Sequence, residues 1–140
     1  MSLKPRCVFD TNVIVSAVLF EHSQPGLAFY TALDRAQIVL SDDVFAELSR
    51  VLSRKKFDRY LAADERELFL VKLLQTATLV QITETIRECR DPNDDKFLEL
   101  IVSASASFLV TGDQDLLALH PFRGISILTP AQFLEVLAEA

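Results

Sequence analysis

The chain has no tryptophan, three glycines, two cysteines and two histidines among its 140 residues. Each scarcity closes off a class of protein. Three isolated glycines leave no glycine-rich loop to cradle a phosphate, which excludes a P-loop or dinucleotide enzyme. With only five prolines beside them there is no collagen-like, low-complexity or linker tract either. Cys7 and Cys89 stand far apart in no CxxC spacing, so neither a zinc site nor a disulfide framework is indicated and both are expected as reduced thiols. His22 and His120 have no acidic or cysteine partner at ligand spacing and read as surface residues. No apolar run reaches the ~18 residues of a spanning helix, and Met1 to Asp10 has neither the long apolar region nor the cleavage site of a signal peptide. The expectation is a soluble, cytoplasmic protein without membrane contact. Basic residues are short too: 14 Lys and Arg against 20 Asp and Glu give a net charge of −6, the wrong sign for gripping phosphates by bulk attraction.

What is abundant is apolar: half the residues are hydrophobic. A chain of this length buries roughly 68% of its unfolded surface, enough for one core, so residues 1–140 are read as a single domain. Short apolar runs alternate with longer helical patterns. Strands are expected at Arg6 to Phe9, Gln37 to Leu40, Thr78 to Ile82, Phe108 to Thr111 and Ile125 to Leu128. Helices are expected at Asn12 to Phe20, Leu27 to Ala36, Asp43 to Ser53, Asp64 to Thr76 and Asp95 to Ala106. A last helix starts at Thr129-Pro130-Ala131-Gln132, where Thr at the N-cap, Pro at the first helical position and Gln two residues on make a capping box. The β-α-β-α order predicts an α/β fold, a three-layer α/β/α sandwich around a mainly parallel sheet of about five strands. In such sheets ligands bind beyond the carboxyl ends of the strands.

That rule organises the acidic residues. Asp10 directly follows the first strand and Asp113 lies just past the fourth, so both emerge into one crevice. Asp95 opens the helix leading into the fourth strand, and Glu47 sits on the helix after the second. Four carboxylates from four segments could converge. Packed carboxylates repel and raise one another's pKa unless cations or shared protons relieve them. Hard oxygen donors without a His/Cys cluster favour Mg²⁺ or Mn²⁺, as one or two ions. Such ions can supply what phosphodiester hydrolysis needs, an activated water and neutralised phosphoryl oxygens. Five basic residues crowd Arg50 to Arg59, next to this acidic locus, as expected beside a polyanion. Arg50, Arg54 and Lys96 are the candidate phosphate contacts, holding position rather than reading bases.

The block Val8-Phe9-Asp10-Thr11-Asn12-Val13, Glu47 within Ser41 to Leu48, Asp94-Asp95-Lys96-Phe97-Leu98-Glu99-Leu100 and Leu109-Val110-Thr111-Gly112-Asp113-Gln114-Asp115-Leu116-Leu117 resembles the PIN-domain ribonucleases over essentially the whole chain. It is most similar to the branch of VapC-like proteins classed as toxin components of toxin–antitoxin pairs. The resemblance implies a Mg²⁺- or Mn²⁺-dependent endoribonuclease acting on single-stranded or loop RNA. It maps Asp10, Glu47, Asp95 and Asp113 onto the acidic quartet that is both catalytic and metal-binding. Thr11 or Asn12 matches the polar neighbour orienting the first Asp, and Asp94 and Asp115 are auxiliary. Lys96-Phe97-Leu98-Glu99 departs from the alanine-rich stretch of the commoner toxin pattern, a difference that bears on substrate choice.

Each acid taken singly has a plainer use. Asp10 could cap a helix, Asp94 and Asp95 could complement a helix dipole, and Glu47 with Arg50 could be a solvated i,i+3 pair. Asp113-Gln114-Asp115 could be an ordinary turn. Their ordered combination at strand ends favours the metal site. A haloacid-dehalogenase-like phosphatase would want a second Asp where Asn12 stands, and a receiver domain would want one ending the central strand, where Thr83-Glu84 follows. The remaining rival is a catalytically inactive PIN-like module that binds RNA or protein. Finally, Leu68, Phe69, Leu70, Val71, Leu73 and Leu74 nearly encircle one helix, more than a single core-facing stripe requires. This predicts a homodimer or a docked antitoxin, with Phe69 and Leu73 on the contacted surface.

Overall fold

The computed structural model describes residues 4–139. Strand β1 (Arg6–Phe9) is followed by α1 (Thr11–Leu19), α2 (Gln24–Arg35), β2 (Gln37–Leu40), α3 (Asp42–Leu52), α4 (Ala63–Thr76) and β3 (Thr78–Leu79). Then come α5 (Asp95–Ser103), β4 (Phe108–Val110), α6 (Gln114–Leu117), β5 (Ser126–Leu128) and α7 (Pro130–Glu139), with short 3₁₀ turns at Lys55–Arg59 and Pro92–Asp94. All five strands run parallel in the order β3-β2-β1-β4-β5. The predicted α/β sandwich is therefore the fold.

Strand β1 is central because it is apolar on both faces. Cys7, Val8 and Phe9 are all buried although successive strand residues point to opposite sides, so helices cover the sheet above and below. Phe9 meets Phe29 of α2 and Phe133 of α7 edge-on, at 5.3 and 5.6 Å between ring centres. Packing of this kind adds about 0.5–1.5 kcal/mol per pair beyond area burial. On both sides of β1 the chain changes direction of winding: β2 is its neighbour on one side and β4 on the other. The gap beyond the ends of β1 and β4 is thus the topological switch point where α/β sheets bind ligands.

Local signals fix most element ends. Ser23 and Ser41 accept hydrogen bonds from Gly26 and Val44 as N-caps of α2 and α3. The predicted capping box is present, with the Thr129 amide donating to Gln132 Oε1 (2.9 Å) and the Gln132 amide to Thr129 Oγ1 (3.2 Å). Helix α2 starts three residues before the expected Leu27, because Ser23 rather than Pro25-Gly26 sets its entry. Most other ends shift by one residue, and the larger departures have physical reasons. Helix α5 stops at Ser103, not Ala106, since Ser105 takes a left-handed φ of 50° and the amides of Ser105 and Ala106 return to Val102 and Ile101. That is a Schellman ending without its usual glycine. Strand β3 keeps only two of its five expected residues: it is an exposed edge, and beyond Val80 the segment leaves the ladder to bond α5 through Thr83 and Ser103. Residues 114–117, where no helix is expected, form the short helix α6.

Candidate functional site

At the switch point, α1 begins one residue after β1, so Asp10 is carried inward by the strand and is nearly buried. It occupies the N-cap position of α1 yet makes no side-chain capping bond. Instead Thr111, at the end of β4, donates its hydroxyl to Asp10 Oδ2 at 2.7 Å. The same Thr111 Oγ1 accepts the Asp113 amide at 3.0 Å, joining the loop after β4 to the end of β1. Burial raises the Asp10 pKa, Thr111 and the Asn12 amide oppose the rise, and the charges of Asp113 and Glu47 add to it.

Glu47 projects from α3 into a complete set of donors. Thr11 Oγ1 donates to Oε2 at 2.5 Å, while Asn93 Nδ2 at 2.9 Å and Lys96 Nζ at 3.1 Å meet Oε1. Partial burial works against the charge, but these three donors outweigh it and hold the Glu47 pKa below the ordinary carboxylate range. Glu47 is not paired with Arg50, as a solvated helix face would have it; among the described residues neither Arg50 nor Arg54 forms an ion pair.

Asp94 and Asp95 diverge. Asp94 makes no side-chain capping bond at the start of α5, and its pKa is pushed up to about 6, first by burial and then by Asp10, Asp113, Asp91 and Glu47. Asp95 turns the other way: its Oδ1 accepts the amides of Cys89 (2.8 Å) and Glu88 (3.1 Å), bonds that overcome its desolvation and lower its pKa. A cavity of about 330 Å³ is accordingly lined by Asp10, Thr11, Asn12, Glu47, Asp94 and Asp113, with Arg50, Arg54 and Asp91, whose carboxylate accepts the Asn93 backbone amide, also on its wall. Asp95 instead lines the neighbouring cavity with Arg87 and Glu99. Of the expected quartet, Asp10, Glu47 and Asp113 line the first cavity together with Asp94, while Asp95 is engaged by backbone amides beside the second.

The auxiliary residues sort similarly. Thr11 is bonded to Glu47 rather than orienting Asp10, a task that falls to Thr111. Asn12 lines the cavity from α1. Asp113 accepts the Asp115 amide at 2.8 Å as N-cap of α6, and Asp115 points outward to Arg90 at 4.0 Å. Lys96 is committed to Glu47 and Asn93. Thr111 and Asn93 are the residues sequence reasoning missed; Thr111 lies inside the last motif block and Asn93 immediately precedes the third, but nothing in their spacing announces a role. His120 is exposed and uses Nδ1 to accept the Ile127 amide, and both thiols are free and pushed up to about 12 by burial, with Asp95 also acting on Cys89.

Five carboxylates, those of Asp10, Glu47, Asp91, Asp94 and Asp113, thus line one cavity from four segments, and a PIN domain family model matches residues 6–115. The chain belongs to the PIN domain family. PIN domains are generally nucleases. Over 95% of its length this PIN chain is 24% identical to the uncharacterized protein MJ1680 of Methanocaldococcus jannaschii, 92% of which is covered. Its fold is similar to that of VapBC2 from Rickettsia felis, solved bound to a promoter DNA fragment (TM-score 0.57, 14% identity, 87% of this chain and 96% of that one). PAE2754 from Pyrobaculum aerophilum is likewise similar (TM-score 0.60, 14% identity, 96% and 90%). No helix among the described residues is long and apolar enough to cross a membrane.

The donor set of this PIN site suits a hard divalent cation: all oxygen, and with enough uncompensated charge to raise Asp94. Among the described residues no three acidic, histidine or cysteine side chains are gathered tightly enough to close on one ion without adjustment.

Proposed function

We propose that the chain is a metal-dependent endoribonuclease whose acidic quartet is Asp10, Glu47, Asp94 and Asp113. The observation that carries this reading is the meeting of these side chains at the switch point of the sheet, where Asp10 and Asp94 are spent on no helix cap. Asp10, Asp94 and Asp113 would hold Mg²⁺ or Mn²⁺, as one ion or two, with Glu47 as the fixed anion behind them. Such an ion neutralises phosphoryl oxygens and activates a water when bound. The protein's own contribution is placement. Thr111 locks the Asp10 carboxylate, Thr11 and Asn93 lock Glu47, and Arg50 and Arg54 present two guanidinium groups to a phosphate at the cavity edge. No side chain need act as covalent nucleophile.

The reading extends to a cytoplasmic toxin of a toxin–antitoxin pair, with RNA as substrate, an antitoxin as partner and a homodimer as its assembly. The fold shared with the Rickettsia felis VapBC2 protein supports this, as does an uncovered apolar stripe on α4 at Leu68, Val71 and Leu74, each about half exposed. Phe69 and Leu73, expected on that surface, face inward: Leu73 is buried and Phe69 packs on Phe29. The second reading is a catalytically inactive PIN-like module binding RNA or protein, favoured by the absence of a tight three-ligand group among the described residues.

Cleavage of single-stranded RNA separates the two. The nuclease cleaves with Mg²⁺ or Mn²⁺ and stops on chelation, and Asp10→Asn and Asp94→Asn each lose at least about 100-fold while staying folded. Asp95→Asn, purified identically, retains cleavage and controls for contaminating nuclease. Full activity in both Asp10→Asn and Asp94→Asn would sink the assignment.

A further inference from the structure

Resting on the nuclease reading above, we infer that Lys96 is a positioning residue, a resident counter-cation that fixes Glu47 and the Asn93–Asp94 turn, and not a phosphate contact. An ammonium has three donors. Those of Lys96 go to the Asn93 carbonyl at 2.7 Å, Asn93 Oδ1 at 2.9 Å and Glu47 Oε1 at 3.1 Å. The Asn93 amide donates onward to the same Oε1 at 2.9 Å, closing a ring of Lys96, Asn93 and Glu47. Both charged side chains are largely withdrawn from solvent, Lys96 with 14% and Glu47 with 12% exposed. To meet a phosphate, Lys96 would have to abandon all three acceptors and leave Glu47 half-paired in a shielded site.

The place of Lys96 in the chain supports the same conclusion. It lies in the first turn of α5, where the helix dipole disfavours a cation. The ion pair with Glu47 compensates that position. Through the ring, α3 is tied to the 92–94 turn, whose last residue is Asp94. Lys96 thereby holds Asp94 toward Asp10 and Asp113 without touching substrate. Arg50 and Arg54, which line the same cavity without ion-pair partners among the described residues, are left to meet the phosphates.

The experiment compares Lys96→Met, Lys96→Arg and Arg54→Met in Mn²⁺-dependent cleavage of single-stranded RNA and in the salt dependence of RNA binding. Positioning predicts that Lys96→Met lowers kcat by about 10- to 100-fold, with KM within about threefold and the salt slope unchanged. Lys96→Arg, keeping the charge, recovers part of the loss. Arg54→Met, which removes a phosphate contact, instead raises KM and reduces the slope by about 0.7 to 1. A second arm needs neither metal nor RNA: melting temperatures in chelator for wild type, Glu47→Gln, Lys96→Met and the double variant. The two substitutions are expected to be non-additive, the double variant melting higher than Lys96→Met alone. Additive shifts would overturn the ring. A raised KM with kcat preserved and a slope reduced by about one in Lys96→Met would overturn positioning in favour of a phosphate contact. Failure of the wild type to cleave RNA would overturn the nuclease reading, while the melting cycle would still decide the ring.

Discussion

Two adjacent aspartates should respond to the same substitution with opposite sign. The Asp94 pKa is raised from 3.8 to about 6 by burial and by the surrounding carboxylates. The folded state therefore keeps a proton that the unfolded chain has already released. The associated stability is fully present below about 3.8, declines as pH rises through about 6, and is absent at pH 7.5. A rise of this size corresponds to about 3 kcal/mol in full, and solvent screening at a partly open site reduces it to about 1.5 kcal/mol. Asp94→Asn removes that penalty, so in chelator at pH 7.5 the variant should melt about 5 °C above wild type, and its stability should fall less between pH 4 and 6. Asp95 has the reverse linkage: its pKa is lowered by the Cys89 and Glu88 amides, so its contribution is present above 3.8 and is lost as pH falls through the lowered value. Asp95→Asn should melt lower at pH 7.5, by about 0.5–1 kcal/mol after allowing for exposure. Mn²⁺ at a hundred times its dissociation constant should add ~2.7 kcal/mol to wild type, as much to Asp95→Asn, and less to Asp94→Asn. The assay is a melting curve of the three proteins from pH 4 to 8, with chelator or Mn²⁺. If Asp94→Asn melts at or below wild type in chelator, or Asp95→Asn melts above it, the division of roles between these residues is wrong.

Two further outcomes follow from groups away from the cavity. Arg66, almost wholly buried in α4, donates to the Leu52 and Leu61 carbonyls and to the half-exposed Asp58, so Arg66→Ala, which strands the two carbonyls, should cost about 2 kcal/mol in urea denaturation; a loss below about 0.5 kcal/mol would show that water replaces those bonds. The α4 stripe predicts a dimer by sedimentation at tens of micromolar that Val71→Lys with Leu74→Lys converts to monomer; a monomeric wild type would remove this face as the homodimer contact.

The sequence by itself carried the alternation of short apolar runs with helical patterns, and this was enough for the order of elements, the parallel sheet and the carboxyl-end location of Asp10 and Asp113. The strands Arg6–Phe9 and Gln37–Leu40 and the Thr129–Gln132 box could be read directly, because burial on both faces and reciprocal capping leave local marks. Where such a mark is missing, the structure departs from the local pattern. Ser105 ends α5 in a conformation usually advertised by glycine, and Thr78–Leu79 is a strand only as far as its neighbour β2 supplies partners. The choice between Asp94 and Asp95 was beyond any local rule. Consecutive residues at a helix start point about 100° apart, so which one faces the crevice depends on the rotation of α5 about its axis. That rotation is set by Phe97, Leu98, Leu100 and Ile101 packing into the core, together with the 86–89 segment that brings two amides to Asp95. The pattern of charges told which residue types meet at the switch point; only tertiary packing decided which carboxylate stays uncompensated, because compensation comes from partners distant in the chain.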